Sequence, residues 1–196
     1  LPSLPHMATS LGTSYKLVSM SVSGFLLVFA VSMLFWGPLS DKYGRRPVLF
    51  AGSLVYIGSS IAIALAPSIG PLLFFRGLQA LGSGALAAMS LTIVKDVLRG
   101  KALEAIVALM QTLMILAPMA APVAGGWLLA FTDWRGVFWL LSFCGAVALW
   151  GTCALRETCK EQTEGSVFAA LGRIGVVLRK EAFVRPLVLF SAMSMP

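Results

Sequence analysis

Arg76 and Gln79 stand out first as residues whose types and spacing can do chemistry. Arg76 is the only charge between positions 47 and 94, in the stretch Leu72-Leu73-Phe74-Phe75-Arg76-Gly77-Leu78-Gln79-Ala80-Leu81-Gly82. A charge among apolar residues of this kind faces a bundle interior or an aqueous cavity, or it snorkels to an interface. Pro71, five residues earlier, puts an interface within reach, so both readings stand at this point. Gln79 follows at i+3 and shares the helical face of Arg76. Two polar groups on one face of an apolar helix suggest a lined cavity.

The second cluster is Gly37-Pro38-Leu39-Ser40-Asp41-Lys42-Tyr43-Gly44-Arg45-Arg46-Pro47. It is read as a turn between two apolar helices, with Gly44 suited to a left-handed conformation. Asp41 sits at a helix end among basic residues, where such a charged cluster can latch two bundles together and release them. A plain solvated loop is the competing reading. No phosphate loop, His-based catalytic set or metal-ligand spacing occurs. His6, the single histidine, is expected to be solvated. Cys144, Cys153 and Cys159 are expected to be packing thiols. The expectation is therefore no enzyme, no cofactor and no metal.

These residues need elements to position them, and the composition says which. Of 196 residues, 58% are hydrophobic and 12% are charged. A soluble domain needs roughly a quarter charged residues. The composition excludes an ordinary soluble globule, a disordered chain and a nucleic-acid module. A spanning helix needs about 20 apolar residues. Charge-free runs predict five spans at 17–38, 47–66, 71–94, 104–131 and 136–155, with Pro67-Ser68-Ile69-Gly70-Pro71 separating the second from the third. The runs are too long for barrel strands and lack their alternation. The fold class is all-α integral membrane, with five complete transmembrane helices and partial ones at both ends. Leu1 and Pro196 both look like cut ends, so the chain is read as a piece of a longer protein.

The formal charge of +7 belongs to topology. One set of connections holds Lys42, Arg45, Arg46, Lys95, Arg99, Lys101, Arg156, Lys160, Arg173, Arg179, Lys180 and Arg185, that is, 12 of the 15 basic residues. The other set holds Lys16 and Arg135. The basic side is predicted to be cytoplasmic, which places residues 1–16 outside. In the third span Ala80, Gly84 and Ala88 repeat every four residues, and in the fourth Ala117, Ala121 and Gly125 do so. Such faces allow close helix approach. Pro118 and Pro122 are expected to bend the fourth span.

The order of residues carries a resemblance. Gly37, Leu39, Asp41, Gly44, Arg45 and Arg46 fill every position of Gly-x-Leu-x-Asp-x-x-Gly-Arg-Arg, which resembles the hallmark motif between helices 2 and 3 of the major facilitator superfamily. That resemblance implies a conformational latch, carried here by Asp41 and Arg45. Leu-x-x-x-Arg-x-x-Gln resembles the drug-antiporter motif of helix 4, with Ala80 in place of the usual glycine as in the bicyclomycin/chloramphenicol-resistance branch. It implies a role for Arg76 in proton coupling or substrate binding. Ala117-Pro118-Met119-Ala120-Ala121-Pro122-Val123-Ala124-Gly125-Gly126 resembles the antiporter motif of helix 5, with alanine at both leading glycine positions and Pro122, Gly125 and Gly126 retained. Leu1-Pro2-Ser3-Leu4-Pro5 resembles the outer end of helix 1. Asp133-Trp134-Arg135 with Phe138-Trp139 resembles the start of helix 6, and Arg156-Glu157-Thr158 its end.

The resemblance implies an N-terminal transmembrane bundle over 1–156, a cytoplasmic linker over 157–185 and the start of helix 7 over 186–196. Val167, Leu171, Ile174 and Leu178 recur with helical period, so the linker is expected to hold an interfacial amphipathic helix. The implied protein is a secondary transporter of the twelve-helix drug/proton antiporter group in the inner membrane. Its partners would be protons, a drug-like small molecule, the lipid bilayer and the C-terminal half of the same transporter, and not nucleic acid. No acid lies centrally in a complete span. The resemblance implies that the proton-carrying carboxylate lies in helix 1, just before Leu1. The alternatives are a metabolite uniporter or symporter of the same superfamily and a non-transport membrane scaffold.

Overall fold

A computed structural model describes residues 3–155 of the chain. The linker over 157–185, the segment 186–196 and the Arg156-Glu157-Thr158 stretch lie outside the described residues. Six helices follow in order: α1 (Ser3–Ser10), α2 (Tyr15–Tyr43), α3 (Arg45–Ala64), α4 (Ile69–Val97), α5 (Gly100–Phe131) and α6 (Trp134–Ala154). The helices α2 to α6 are each long and apolar enough to cross a membrane. They carry Leu27 at 69% exposure, Val123 at 75% and Trp150 at 79%. Apolar side chains exposed on this scale around a bundle need hydrocarbon, not water, as solvent.

The breaks follow from local chemistry. Pro67 and Ser68 separate α3 from α4, and Pro71 is the third residue of α4, where its missing N–H costs no helical bond. The 37–47 segment corrects the sequence reading. α2 runs straight through Gly37, Pro38 and Asp41 to Tyr43, and the turn is the single residue Gly44. Its φ of +98° favours a residue without a Cβ. The N–H of Gly44 closes α2 on the carbonyl of Ser40 at 3.0 Å. Pro38 is accommodated inside α2, as prolines are in bundled membrane helices. α5 is likewise continuous across Pro118 and Pro122. Near the N-terminus, α1 runs from Ser3 to Ser10, and Leu1 and Pro2 of the stretch expected to be the outer end of a helix lie outside the described residues. Met7 is buried at 2% exposure.

The packing is centred on α3 and α4. The most extensive interfaces are α3 with α4, α2 with α4 and α3 with α6. Small residues set the α3–α4 distance: a Cβ added at Gly82 would lie 2.6 Å from the Tyr56 nitrogen and 2.7 Å from the Gly52 carbonyl oxygen. Gly84 meets Ser32 of α2, so the Ala80–Gly84–Ala88 face does admit a close neighbour. Trp36 of α2 donates to the Leu81 carbonyl at 2.9 Å. Buried serines return their hydroxyls to their own helices, Ser21 to Val18 at 2.6 Å and Ser53 to Leu49 at 2.8 Å. One apolar cluster joins Met7, Val18, Ile63, Leu72, Trp134 and Phe138 at the end away from the basic residues. A second joins Val48, Leu49 and Met89 near the basic end.

α5 stands apart. It touches α4, α6 and α1 only sparsely, and none of its 32 residues is buried.

Candidate functional site

Arg76 is turned into the bundle rather than snorkelling along it. Its Nη1 donates to Gln79 Oε1 at 3.1 Å, the i+3 pair expected from sequence. Gln79, 1% exposed, donates through Nε2 to Ser60 Oγ of α3 at 2.8 Å. Ser60 in turn donates to the Tyr56 carbonyl at 2.7 Å. The chain runs from α4 to α3 and fixes the amide orientation of Gln79. Two rings complete the surroundings. The guanidinium carbon lies over Phe138 of α6 at 4.8 Å and over Phe25 of α2 at 5.6 Å. Arg76 Nε is shielded from solvent and meets no acceptor among the described residues.

The described acids lie elsewhere. Asp41 is in the last turn of α2, Asp96 in the last turn of α4, Glu104 in the first turns of α5, and Asp133 sits just before the first turn of α6 without a side-chain capping bond. Arg76 is therefore a cation held by a neutral amide and aromatic faces. Such a group can attract an anion, or raise the acidity of a carboxyl brought near it. Sequence reasoning found Arg76 and Gln79 but not Ser60 or Phe25, and noted Phe138 only as part of a helix start. Ser59-Ser60 in an otherwise apolar run was the one available signal.

At the basic end, three helices meet on one guanidinium. Arg45 Nη1 donates to Asp41 Oδ1 and, at 2.8 Å, to Ser40 Oγ. Arg45 Nε donates to Asp96 Oδ2 at 3.1 Å. Arg46 Nη2 donates to the Cys153 carbonyl of α6 at 3.1 Å. Leu39 packs on the Val48–Leu49–Met89 cluster, whereas a Cβ on Gly37 would meet open space. Asp96 is the member that sequence reasoning missed. It is the one acid in the connection between the third and fourth spans, which is a signal only once α4 is known to end beside α3. Asp41 is half exposed, at 53%, and Asp96 is 29% exposed, so each pair contributes less than about 1 kcal/mol. Asp96→Asn is expected to lower the melting temperature of the purified protein by no more than about 3 °C. A drop beyond 10 °C would mean that the pair holds the fold together.

The α5 motif is brought to neither cluster. Ala117, Pro118, Ala121, Pro122 and Gly126 are exposed, Gly125 is half-buried, and a Cβ on Gly125 or Gly126 would meet nothing within 4 Å. The close approach expected at Ala117, Ala121 and Gly125 does not occur among the described residues, because α5 is held mainly at its ends. No cluster of three or more metal-ligating side chains occurs among the described residues. Cys144 and Cys153 are free and exposed, not buried packing thiols, and Cys159 lies outside the described residues. An apolar groove of about 490 Å³, lined by Leu49, Leu86, Ser90, Ile93, Thr152 and Leu155 among others, opens near the basic end. Ser90 is 14 residues along α4 from Arg76, or about 21 Å, so the groove is separate from the Arg76 cluster.

A family model described as the Major Facilitator Superfamily matches residues 1–195. Among curated relatives, the chain is 32% identical over 189 residues to the uncharacterized MFS-type transporter YdgK of Bacillus subtilis, covering 94% of this chain and 47% of the relative. It is 31% identical over 148 residues to citrate exporter 1 of Aspergillus niger, covering 76% and 28%. It is 31% identical over 139 residues to a chloramphenicol resistance protein of Pseudomonas aeruginosa, covering 70% and 33%. The chain thus spans less than half the length of each of these relatives. Among solved structures, a peptide transporter bound to alafosfalin matches 95% of this chain and 39% of its own, with a TM-score of 0.65 at 20% identity. That likeness is one of fold.

Proposed function

We propose a function from one premise, that the chain belongs to the Major Facilitator Superfamily. It is a multi-pass membrane protein of a transporter family, not an enzyme. Within that family it acts as part of a secondary active exporter. Drugs or other small amphipathic compounds leave the cell in exchange for protons by alternating access. Substrate binds near the midplane between this bundle and the C-terminal half of the same transporter. The basic end faces the cytoplasm of the inner membrane.

One observation carries the reading. A guanidinium inside a membrane bundle is expensive, and here it is supported by Gln79 and Ser60 and has one donor without a partner. Such a group is worth its cost where charge must be handled in transit. The Asp41–Arg45–Asp96 cluster supports the alternating part of the mechanism, because it joins α2, α3 and α4 at the face where two halves would meet. Relatives named for chloramphenicol resistance and for citrate export support the outward direction.

The test uses the protein encoded by the intact gene in a drug-sensitive host. Across a panel of antibiotics that includes chloramphenicol, expression is expected to raise resistance, and an uncoupler should remove the gain. Export that survives collapse of the proton gradient would replace antiport by uniport. No export of any compound in the panel would return the protein to the reading as a metabolite uniporter or symporter, or to that of a scaffold.

A further inference from the structure

We infer that Phe138 is a positioning residue for Arg76, and that the aromatic pair Phe138 and Phe25 holds the guanidinium where transport needs it; this rests on the role proposed for Arg76. Hydrogen bonding alone under-determines the position of that group. Nη1 is tethered to Gln79 Oε1, while Nε has no acceptor among the described residues. The ring faces supply what is missing. Phe138 lies closer, at 4.8 Å against 5.6 Å for Phe25, and a desolvated cation–π contact is the stronger kind.

Phe138 is itself held. It is 3% exposed and packs edge-on against Trp134 with ring centroids 6.0 Å apart. Trp134, 1% exposed, donates from Nε1 to Ser10 Oγ at 2.7 Å. A line of contacts therefore runs from the α1 end through Trp134 and Phe138 of α6 to Arg76 of α4. Two helices, α6 and α2, hold the cation through rings, and Ser60 of α3 holds it through Gln79. Phe138 also belongs to an apolar cluster with Met7, Leu72 and Trp134. If it only filled space there, any apolar side chain of similar size would serve.

The experiment separates these roles in the protein encoded by the intact gene, with chloramphenicol efflux as the probe. Phe138→Leu keeps an apolar side chain but removes the ring, and it is expected to slow efflux on the order of tenfold. Phe138→Tyr keeps the ring face and is expected to stay within about twofold of wild type. Phe25→Leu is expected to fall between them, and it carries the test if Phe138→Leu fails to insert. Efflux within about twofold of wild type for both leucine variants would overturn the inference. A second readout does not depend on transport. In purified protein, the melting-temperature loss caused by Phe138→Leu should shrink by half or more in an Arg76→Gln background, whereas additive losses would leave Phe138 as packing. If the wild type exports no probe, the proposed function falls while this thermal cycle still decides the role of Phe138.

Discussion

Arg76→Ala is expected to reduce efflux by at least about a hundredfold while the protein still inserts into the membrane at near wild-type amounts. Insertion should not suffer, because a charged arginine within a spanning helix opposes it, and alanine does not. Folding is pulled both ways. The buried cation goes, but Gln79 Oε1 loses its donor, and an unpaired buried acceptor costs about 1–3 kcal/mol. These effects offset each other in sign, so the loss of transport would report function and not a lost fold. Arg76→Lys should be intermediate. It keeps the charge but lacks the planar fork that reaches Gln79 and stacks on two rings. Immunoblots of the membrane fraction and antibiotic accumulation in cells give the two readouts. Unchanged efflux from Arg76→Ala would reduce the cluster to structural packing.

The second large effect is expected from one methyl group. Gly82→Ala places a Cβ 2.6 Å from the Tyr56 nitrogen and 2.7 Å from the Gly52 carbonyl oxygen. Both are backbone atoms, so no side chain can swing away, and α3 and α4 must separate. That interface is the most extensive in the bundle. Overpacking of this kind costs about 1–3 kcal/mol, occasionally more, which corresponds to a melting-temperature loss of roughly 3–9 °C. The cost also reaches the Arg76 cluster, since Tyr56 supplies the carbonyl that orients Ser60. Gly58→Ala, on the neighbouring helix α3 and facing open space, should melt within about 2 °C of wild type. Equal losses from both variants would show that the close contact at Gly82 does not set the effect, since helix propensity alone favours alanine over glycine.

Much of the fold was legible because lipid imposes a simple rule on sequence. Runs without charge located all five long helices, with ends misplaced by up to five residues. The errors are physical. A charge marks the edge of hydrocarbon, but a helix does not stop there, and α2 and α4 run on to Tyr43 and Val97. Gly37 and Pro38 signalled a turn by the habits of soluble proteins, whereas a bundled membrane helix passed through both. Of the site, the part on one helix was readable: Arg76 and Gln79 lie three residues apart on α4. Phe25, Ser60, Phe138 and Asp96 reach their clusters from other helices. No spacing rule within one segment can find a partner 19 or 51 residues away. The small-residue faces show the same limit. Ala80, Gly84 and Ala88 pack tightly, Ala117, Ala121 and Gly125 do not, and the sequence pattern is the same.

The single-residue joint at Gly44 gives the chain a fixed phase. Gly44 ends α2 and begins α3, with no loop between them to take up slack. One residue added or lost there would turn α3 about its axis by about 100°. Gly52 would then leave Gly82, Ser60 would leave Gln79, and Arg45 would swing away from Asp96, all at once. Most membrane proteins absorb length changes in their short connections. Here the connection works as a keyed coupling between two shafts, its one residue held in number by the phase of α3 and in type by a φ of +98°.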